Sequence, residues 1–243
     1  MDLPPSLDLT RDEEAEKALV DLAREWLDKG VRAEGVHASD LLMPLLAYWR
    51  RVDPQPVQDR ETGLFLVGKI LHAFVLGSQN GVVDLAVTDE GSVYDEELGL
   101  WYSPDKVTNG VPSEFKTNRG YNEPEKIGDL DTYLKQLLVY MATKKSTVGK
   151  LWVLYVNLRD EARKTHPQFR VYNVTITEEE LKALRLEIKR ERDALADALA
   201  AKDPSRLPLC PAWACHPSQC PHWRLCKPSG RYENPSYLQE RRR

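Results

Sequence analysis

The stretch from Val111 to Asn157 constrains this 243-residue chain more than any other. Leu151 to Asn157 is apolar, rich in β-branched and aromatic residues, and has the composition of a buried strand. Gly128 to Thr143 reads as a helix. Val111 to Thr117 reads as a short strand, since a long turn-rich stretch precedes it and Thr117-Asn118-Arg119-Gly120 ends it. Phe169 to Ile176 alternates and predicts another strand, as do Val82 to Val87 and the residues near Leu98 to Tyr102. Helices are expected at both ends. One starts at Thr10, with Glu13 three residues on as a capping box. A second runs from Ser39 to Arg51 and stops before Asp53-Pro54-Gln55-Pro56. A third spans Gly63 to Leu76. The last starts at the Thr177–Glu180 capping box and runs toward Ala201, with Leu181, Leu184, Ile188, Leu195 and Leu199 as its apolar stripe. Helices, several strands, a helix, a strand and more helix make an α/β protein. Asp89 to Asn109 predicts an extended hairpin or flap.

Composition excludes little beyond a disordered or membrane-spanning chain. Hydrophobic residues are 42% and charged residues 30% of the total, as in a globular protein. No apolar stretch reaches membrane-spanning length and no signal peptide is evident, so a cytoplasmic protein with no membrane partner is expected. The formal net charge of −4 argues neither for nor against nucleic-acid binding, which needs a local basic path. Arg50, Arg51, Arg119, Lys144, Lys145, Arg163, Lys164, Arg224, Lys227 and Arg231 are candidates for one, against a background in which most such residues are plain solvated surface.

The chemistry-bearing residues fall in a fixed order. Glu114 and Lys116 are two apart on the strand from Val111, so both side chains leave one face of the sheet. Glu180-Leu181-Lys182 and Glu187-Ile188-Lys189 repeat the spacing, but on a long charged helix where such pairs are ordinary. Asp84 ends Gly81-Val82-Val83-Asp84, a strand-like run that can neighbour the first. Two adjacent carboxylates repel unless a cation lies between them. Mg²⁺ or Mn²⁺ takes oxygen ligands and leaves positions open, and His72 adds an imidazole that favours Mn²⁺. Gln136 and Tyr140, four apart on the helix, share a face. Each residue alone is more often structural than functional; together and in compatible elements they form the pattern of a metal-dependent nucleic-acid nuclease.

Between about Val36 and Pro228 the chain resembles the RecB-type branch of the PD-(D/E)XK nucleases, especially the CRISPR-associated Cas-four exonucleases. Gly68 to His72 is similar to that family's Gly-x-x-x-His motif, Gly81 to Asp84 to its acidic strand motif, Glu114 to Thr117 to its Glu-x-Lys-Thr motif, and Gln136 to Tyr140 to its Gln-x-x-x-Tyr motif. The resemblance implies a restriction-endonuclease-like core, a mixed sheet flanked by helices, over 61–176. A helical segment over 1–60 would pack with a C-terminal helix and cysteine knuckle over 177–243. It implies Mn²⁺ or Mg²⁺ on His72, Asp84, Glu114 and Phe115, with Lys116, Gln136 and Tyr140 catalytic. It implies an exonuclease on single-stranded DNA ends, which in a CRISPR setting would work with integration proteins; the alternative is a metal-knuckle nucleic-acid-binding or assembly subunit with a vestigial nuclease site, against which the intact Asp84, Glu114 and Lys116 argue. Trp101, Tyr121, Trp213 and Trp223 are candidates for base stacking, in positions where packing residues are as common.

All four cysteines, Cys210, Cys215, Cys220 and Cys226, lie in one proline-broken segment. Cytosolic thiols stay reduced, so such a cluster points to metal rather than disulfides; thiolates select zinc or an iron–sulfur cluster. The resemblance implies a [4Fe-4S] cluster on one early and three late cysteines. Here Met43 stands where the early cysteine is expected, and Cys210 supplies a local fourth thiol. Zinc is the alternative, with His216 and His222 as further ligands.

Overall fold

A computed structural model describes residues 33–55, 78–79, 82–83, 92–120, 131–159, 164–210 and 220–226, with isolated residues 21, 68, 122 and 214. The expected helices at Thr10 and over Gly63 to Leu76, together with His72, Asp84, Tyr121, Trp213 and Cys215, lie outside the described residues.

Four strands form the central sheet: β5 (Lys106–Thr108), β6 (Val111–Asn118), β7 (Val148–Arg159) and β8 (Thr165–Thr175), in that order across it. β5 and β6 are antiparallel, β6 and β7 parallel, β7 and β8 antiparallel. The parallel pair requires a crossover, and α2 (Asp131–Lys144) is that crossover. A mixed sheet with helices against it is the α/β core expected of a restriction-endonuclease-like protein.

Register decides which side chains meet α2. Glu114 pairs with Leu151 and Lys116 with Val153. Leu151, Val153 and Tyr155 are buried with Leu137 and Met141 of α2 in one apolar cluster. The face that carries Glu114 and Lys116 is therefore the face α2 covers. Gly149 permits the close approach: a Cβ there would lie 2.8 Å from Met141 Sδ and 3.1 Å from Leu137 Cδ1.

A second, larger cluster joins distant parts of the chain. It collects Leu41, Leu45 and Tyr48 near the N-terminus, Leu98 and Leu100, Val139 and Tyr140 of α2, Leu195 of the last long helix, and Leu207 and Cys210 beyond it. That helix, α3 (Glu178–Ala201), begins as its sequence predicts. Glu180 N–H donates to Thr177 Oγ1 and Thr177 N–H to Glu180 Oε2, at 3.1 and 2.7 Å. Lys202, at φ 53°, ends it in the left-handed conformation. Arg185 of α3 donates to the Ala142 carbonyl near the end of α2.

The helix expected from Ser39 to Arg51 is two pieces: a 3-10 turn over Ala38–Leu42, then α1 over Pro44–Val52. Pro44 lacks the N–H that would continue the first piece and starts the second. The stretch after Asp89 contains a hairpin, one of the two forms expected there, β3 (Val93–Asp95) with β4 (Leu100–Tyr102). Leu98 and Leu100 are fully buried, and Glu97 meets Arg185, Lys145 and Lys189 at 2.6, 3.2 and 3.9 Å. Trp101 is a packing residue, its Nε1–H donating to the Glu34 carbonyl at 2.7 Å and its ring against Tyr94. Trp223, on the short helix α4 (Trp223–Cys226), packs against the larger cluster. The smaller pair β1 (Ser78–Gln79) and β2 (Val82–Val83) stands apart from the sheet, and the strand expected to Val87 is described only at Val82–Val83.

Candidate active site

Glu114, Lys116, Gln136 and Tyr140 converge as a linked chain. Lys116 Nζ forms an ion pair with Glu114 Oε1 and donates to Gln136 Oε1 at 2.9 Å. Gln136 Nε2 donates to the Tyr140 hydroxyl at 2.7 Å. Strand periodicity puts the first two on the α2 side of β6, and the four-residue helical spacing points the other two back at them. Phe115 lies between, its ring on the opposite face in register with Trp152. A phenylalanine side chain has no ligand atom, so Phe115 can serve a metal only through its carbonyl oxygen. The Cys226 side chain lies outside the described residues, and with His72 and Asp84 also outside them these expected ligands stay expectations.

The carboxylate that the structure sets against Glu114 is Asp105, which the sequence reading missed. Asp105 Oδ2 accepts the Phe115 N–H at 2.6 Å, across the β5–β6 hairpin. After burial, its charge pushes the Glu114 carboxyl upward. The signal was in plain sight. Pro104-Asp105, then eight residues, then Glu114-Phe115-Lys116 spells Pro-Asp followed by Glu-x-Lys.

Electrostatics make the pair unstable without a cation. Glu114 is 1% exposed, and its Oε2 has no hydrogen-bond donor. Burial first, then Asp105, raises its carboxyl to about 8, against the opposing pull of Lys116. Burial alone would lower the Lys116 ammonium, but Glu114 and Asp105 more than offset this and hold it protonated. Tyr140 is pushed well above its ordinary range by burial and by the Glu114 charge, so it is a neutral phenol. An orphaned buried carboxylate oxygen beside a second carboxylate fits a divalent cation. Among the described residues no three His, Cys, Asp or Glu side chains form a group that would hold a metal, so these two acids are a partial ligand set.

The profile of the PD-(D/E)XK nuclease superfamily matches residues 111–227. A PD-(D/E)XK nuclease domain is present. Proteins of this superfamily are generally phosphodiester-cleaving nucleases and usually use Mg²⁺ or Mn²⁺. The match spans β6, α2, β7, β8, α3 and the cysteine segment, and Pro104-Asp105 lies just ahead of it. Among solved structures, one titled "Crystal structure of SSO0001" superposes with a TM-score of 0.55 at 17% identity, covering 87% of this chain and 95% of that one. At that identity the likeness is one of fold. No curated protein matches the sequence. No helix among the described residues is long and apolar enough to cross a membrane.

Among the cysteines, Cys210 and Cys220 are buried. Met43, where the resemblance expects a cysteine, is half-buried against the larger apolar cluster, as is Trp223.

Proposed function

We propose that this chain is a metal-dependent deoxyribonuclease that shortens single-stranded DNA from its ends. The observation that carries the nuclease reading is the buried Glu114 carboxylate set against the half-buried Asp105, with Lys116 held beside it. Asp105, Glu114 and the Phe115 carbonyl would hold Mg²⁺ or Mn²⁺, with His72 and Asp84 as further expected ligands. Bound there, the ion supplies Lewis-acid stabilisation of the phosphate and activation of water.

The protein's own residues supply the rest. Lys116 carries a fixed positive charge to where charge develops on the phosphate, and being ammonium it serves as a point charge rather than a base. Gln136 accepts from it and fixes its direction; Tyr140 in turn fixes the Gln136 amide. The single-strand preference, the end-directed action and a setting in CRISPR spacer acquisition, alongside integration proteins in the cytoplasm, rest on the motif resemblance. A metal centre on Cys210, Cys215, Cys220 and Cys226 belongs to the same reading, a [4Fe-4S] cluster by resemblance or zinc as the alternative.

End-labelled single- and double-stranded DNA, linear and circular, incubated with Mn²⁺ tests it. Ladder-like shortening of linear single strands, with circles intact and Asp105→Ala inactive, is the expected result. Cleavage of circles would remove the end-directed part. Equal rates for the parent and Asp105→Ala would remove the site.

A further inference from the structure

The side of α2 that meets Lys116 carries a third polar residue. Tyr133, Gln136 and Tyr140 stand at i, i+3 and i+7, so they share one side of the helix. Tyr140 is deep, at 3% exposed, and its hydroxyl is engaged by Gln136. Tyr133 is half-buried at the other end of the row, with its ring against the apolar cluster of Leu137, Met141, Leu151 and Val153. Packing therefore holds the ring, while the Tyr133 hydroxyl makes no hydrogen bond among the described residues. Lys116 also has a donor to spare. An ammonium carries three N–H bonds; Glu114 and Gln136 engage two, and the side chain is still 25% exposed. The two groups act on each other: burial raises the Tyr133 pKa and the Lys116 charge pulls against that rise. Tyr133 is thus a neutral phenol with a proton to donate, beside an ammonium with a proton to donate.

Two unspent donors on one side of a site, one of them charged, suit an anion with more than one acceptor oxygen. A phosphodiester presents two non-bridging oxygens. Lys116 meets them as a point charge that does not fix their orientation, whereas a hydroxyl on a packed ring is directional. We propose that Tyr133 is a further catalytic residue of this site, whose hydroxyl donates a hydrogen bond to a non-bridging oxygen of the phosphodiester that is cut, beside the free donor of Lys116. This rests on the nuclease reading and adds to it the group that orients the phosphate. Tyr133 keeps its proton throughout and acts as a donor, not as a base. A tyrosine at the margin of an apolar cluster, its hydroxyl in water, is also an ordinary packing arrangement. The two accounts part at the hydroxyl, because packing uses the ring alone.

The experiment compares the full chain with Tyr133→Phe, which keeps the ring and removes only the hydroxyl. Single-turnover cleavage in Mn²⁺ is followed on an end-labelled DNA strand, alone and as a duplex. One linkage of that strand is a phosphate, an Rp phosphorothioate or an Sp phosphorothioate. Tyr133→Phe should cut the phosphate linkage roughly 10–100-fold more slowly, the loss of one hydrogen bond to a charged group. Its urea midpoint and its Mn²⁺ affinity by calorimetry should match the parent's. Sulfur accepts hydrogen bonds poorly, so the penalty should shrink for one diastereomer and persist for the other. Equal phosphate rates in parent and variant overturn the inference and leave the nuclease reading standing. The same penalty on all three linkages, or a rate loss that comes with a lowered urea midpoint, also overturns it and makes Tyr133 a packing residue. A parent that cleaves neither strand nor duplex overturns the nuclease reading, and this inference with it.

Discussion

Replacing Glu114 by Gln should come to stabilise the metal-free protein as pH rises. The group's folded-state carboxyl sits at about 8 against an ordinary 4.5. A carboxyl raised on folding binds its proton more tightly in the native state. Its contribution is therefore fully present below about 4.5, declines as pH rises, and is gone above about 8. At about 1.4 kcal/mol per tenfold, the span from 4.5 to 8 amounts to about 5 kcal/mol. Lys116 pulls the other way, so this is a ceiling for one group. The Glu114→Gln side chain would keep the shape without the charge. At pH 5 the two proteins should differ little, with a small loss in the variant from its weaker contact to Lys116. By pH 8.5 the variant should be the more stable by a few kcal/mol. Urea unfolding in EDTA at half-unit pH steps measures this directly. Mn²⁺ should then raise the parent's midpoint and leave the variant's nearly unmoved, because only the parent offers the second carboxylate. A difference between parent and Glu114→Gln that stays constant from pH 5 to 8.5 would refute the reasoning about buried, uncompensated charge.

Three other changes test separate parts of the structure. Lys116→Ala should bind Mn²⁺ within a few-fold of the parent by calorimetry yet lose turnover by roughly 10²–10³, since an ammonium is no ligand and acts on developing charge. Gly149→Ala should cost about 1–3 kcal/mol in chemical denaturation, because its methyl would lie 2.8 Å from Met141 Sδ where β7 meets α2. Thr177→Ala should cost about 1 kcal/mol by removing the α3 cap, with no change in cleavage rate once folded.

The elements that were legible in the sequence are those whose local signals agree with their tertiary setting. α3 has a capping box, an apolar stripe and a glycine-free interior, and its start and end fall where they are expected. β7 was legible because a buried strand must be apolar throughout. The Glu114–Lys116 and Gln136–Tyr140 pairs were legible because strand and helix periodicities each put two residues on one face. What was not legible is which strands are neighbours. Nothing in the spacing ties Asp105 to Glu114; the β5–β6 hairpin does, by turning the chain at Asn109-Gly110, both at positive φ. The split at Met43 was hidden because Pro44 can equally begin a helix or interrupt one. Glu97 sits in an acidic run, Asp95 to Glu97, with no local mark of its partners, and three cations from two different helical regions close on it. Such long-range pairing has no periodic trace.

Asp105, Glu114, Lys116, Gln136 and Tyr140 all come from one uninterrupted run of chain, from just before β5 through α2. The groups that the structure brings together for chemistry are thus encoded side by side. Recombination between related genes with breakpoints outside that run inherits or loses them as a block, never in part. The flanking segments, including the hairpin on Glu97 and the thiol-rich end, are free to be exchanged or to drift under other demands without splitting the set. A lineage of such proteins can in this way change what it grips while keeping what it cuts with.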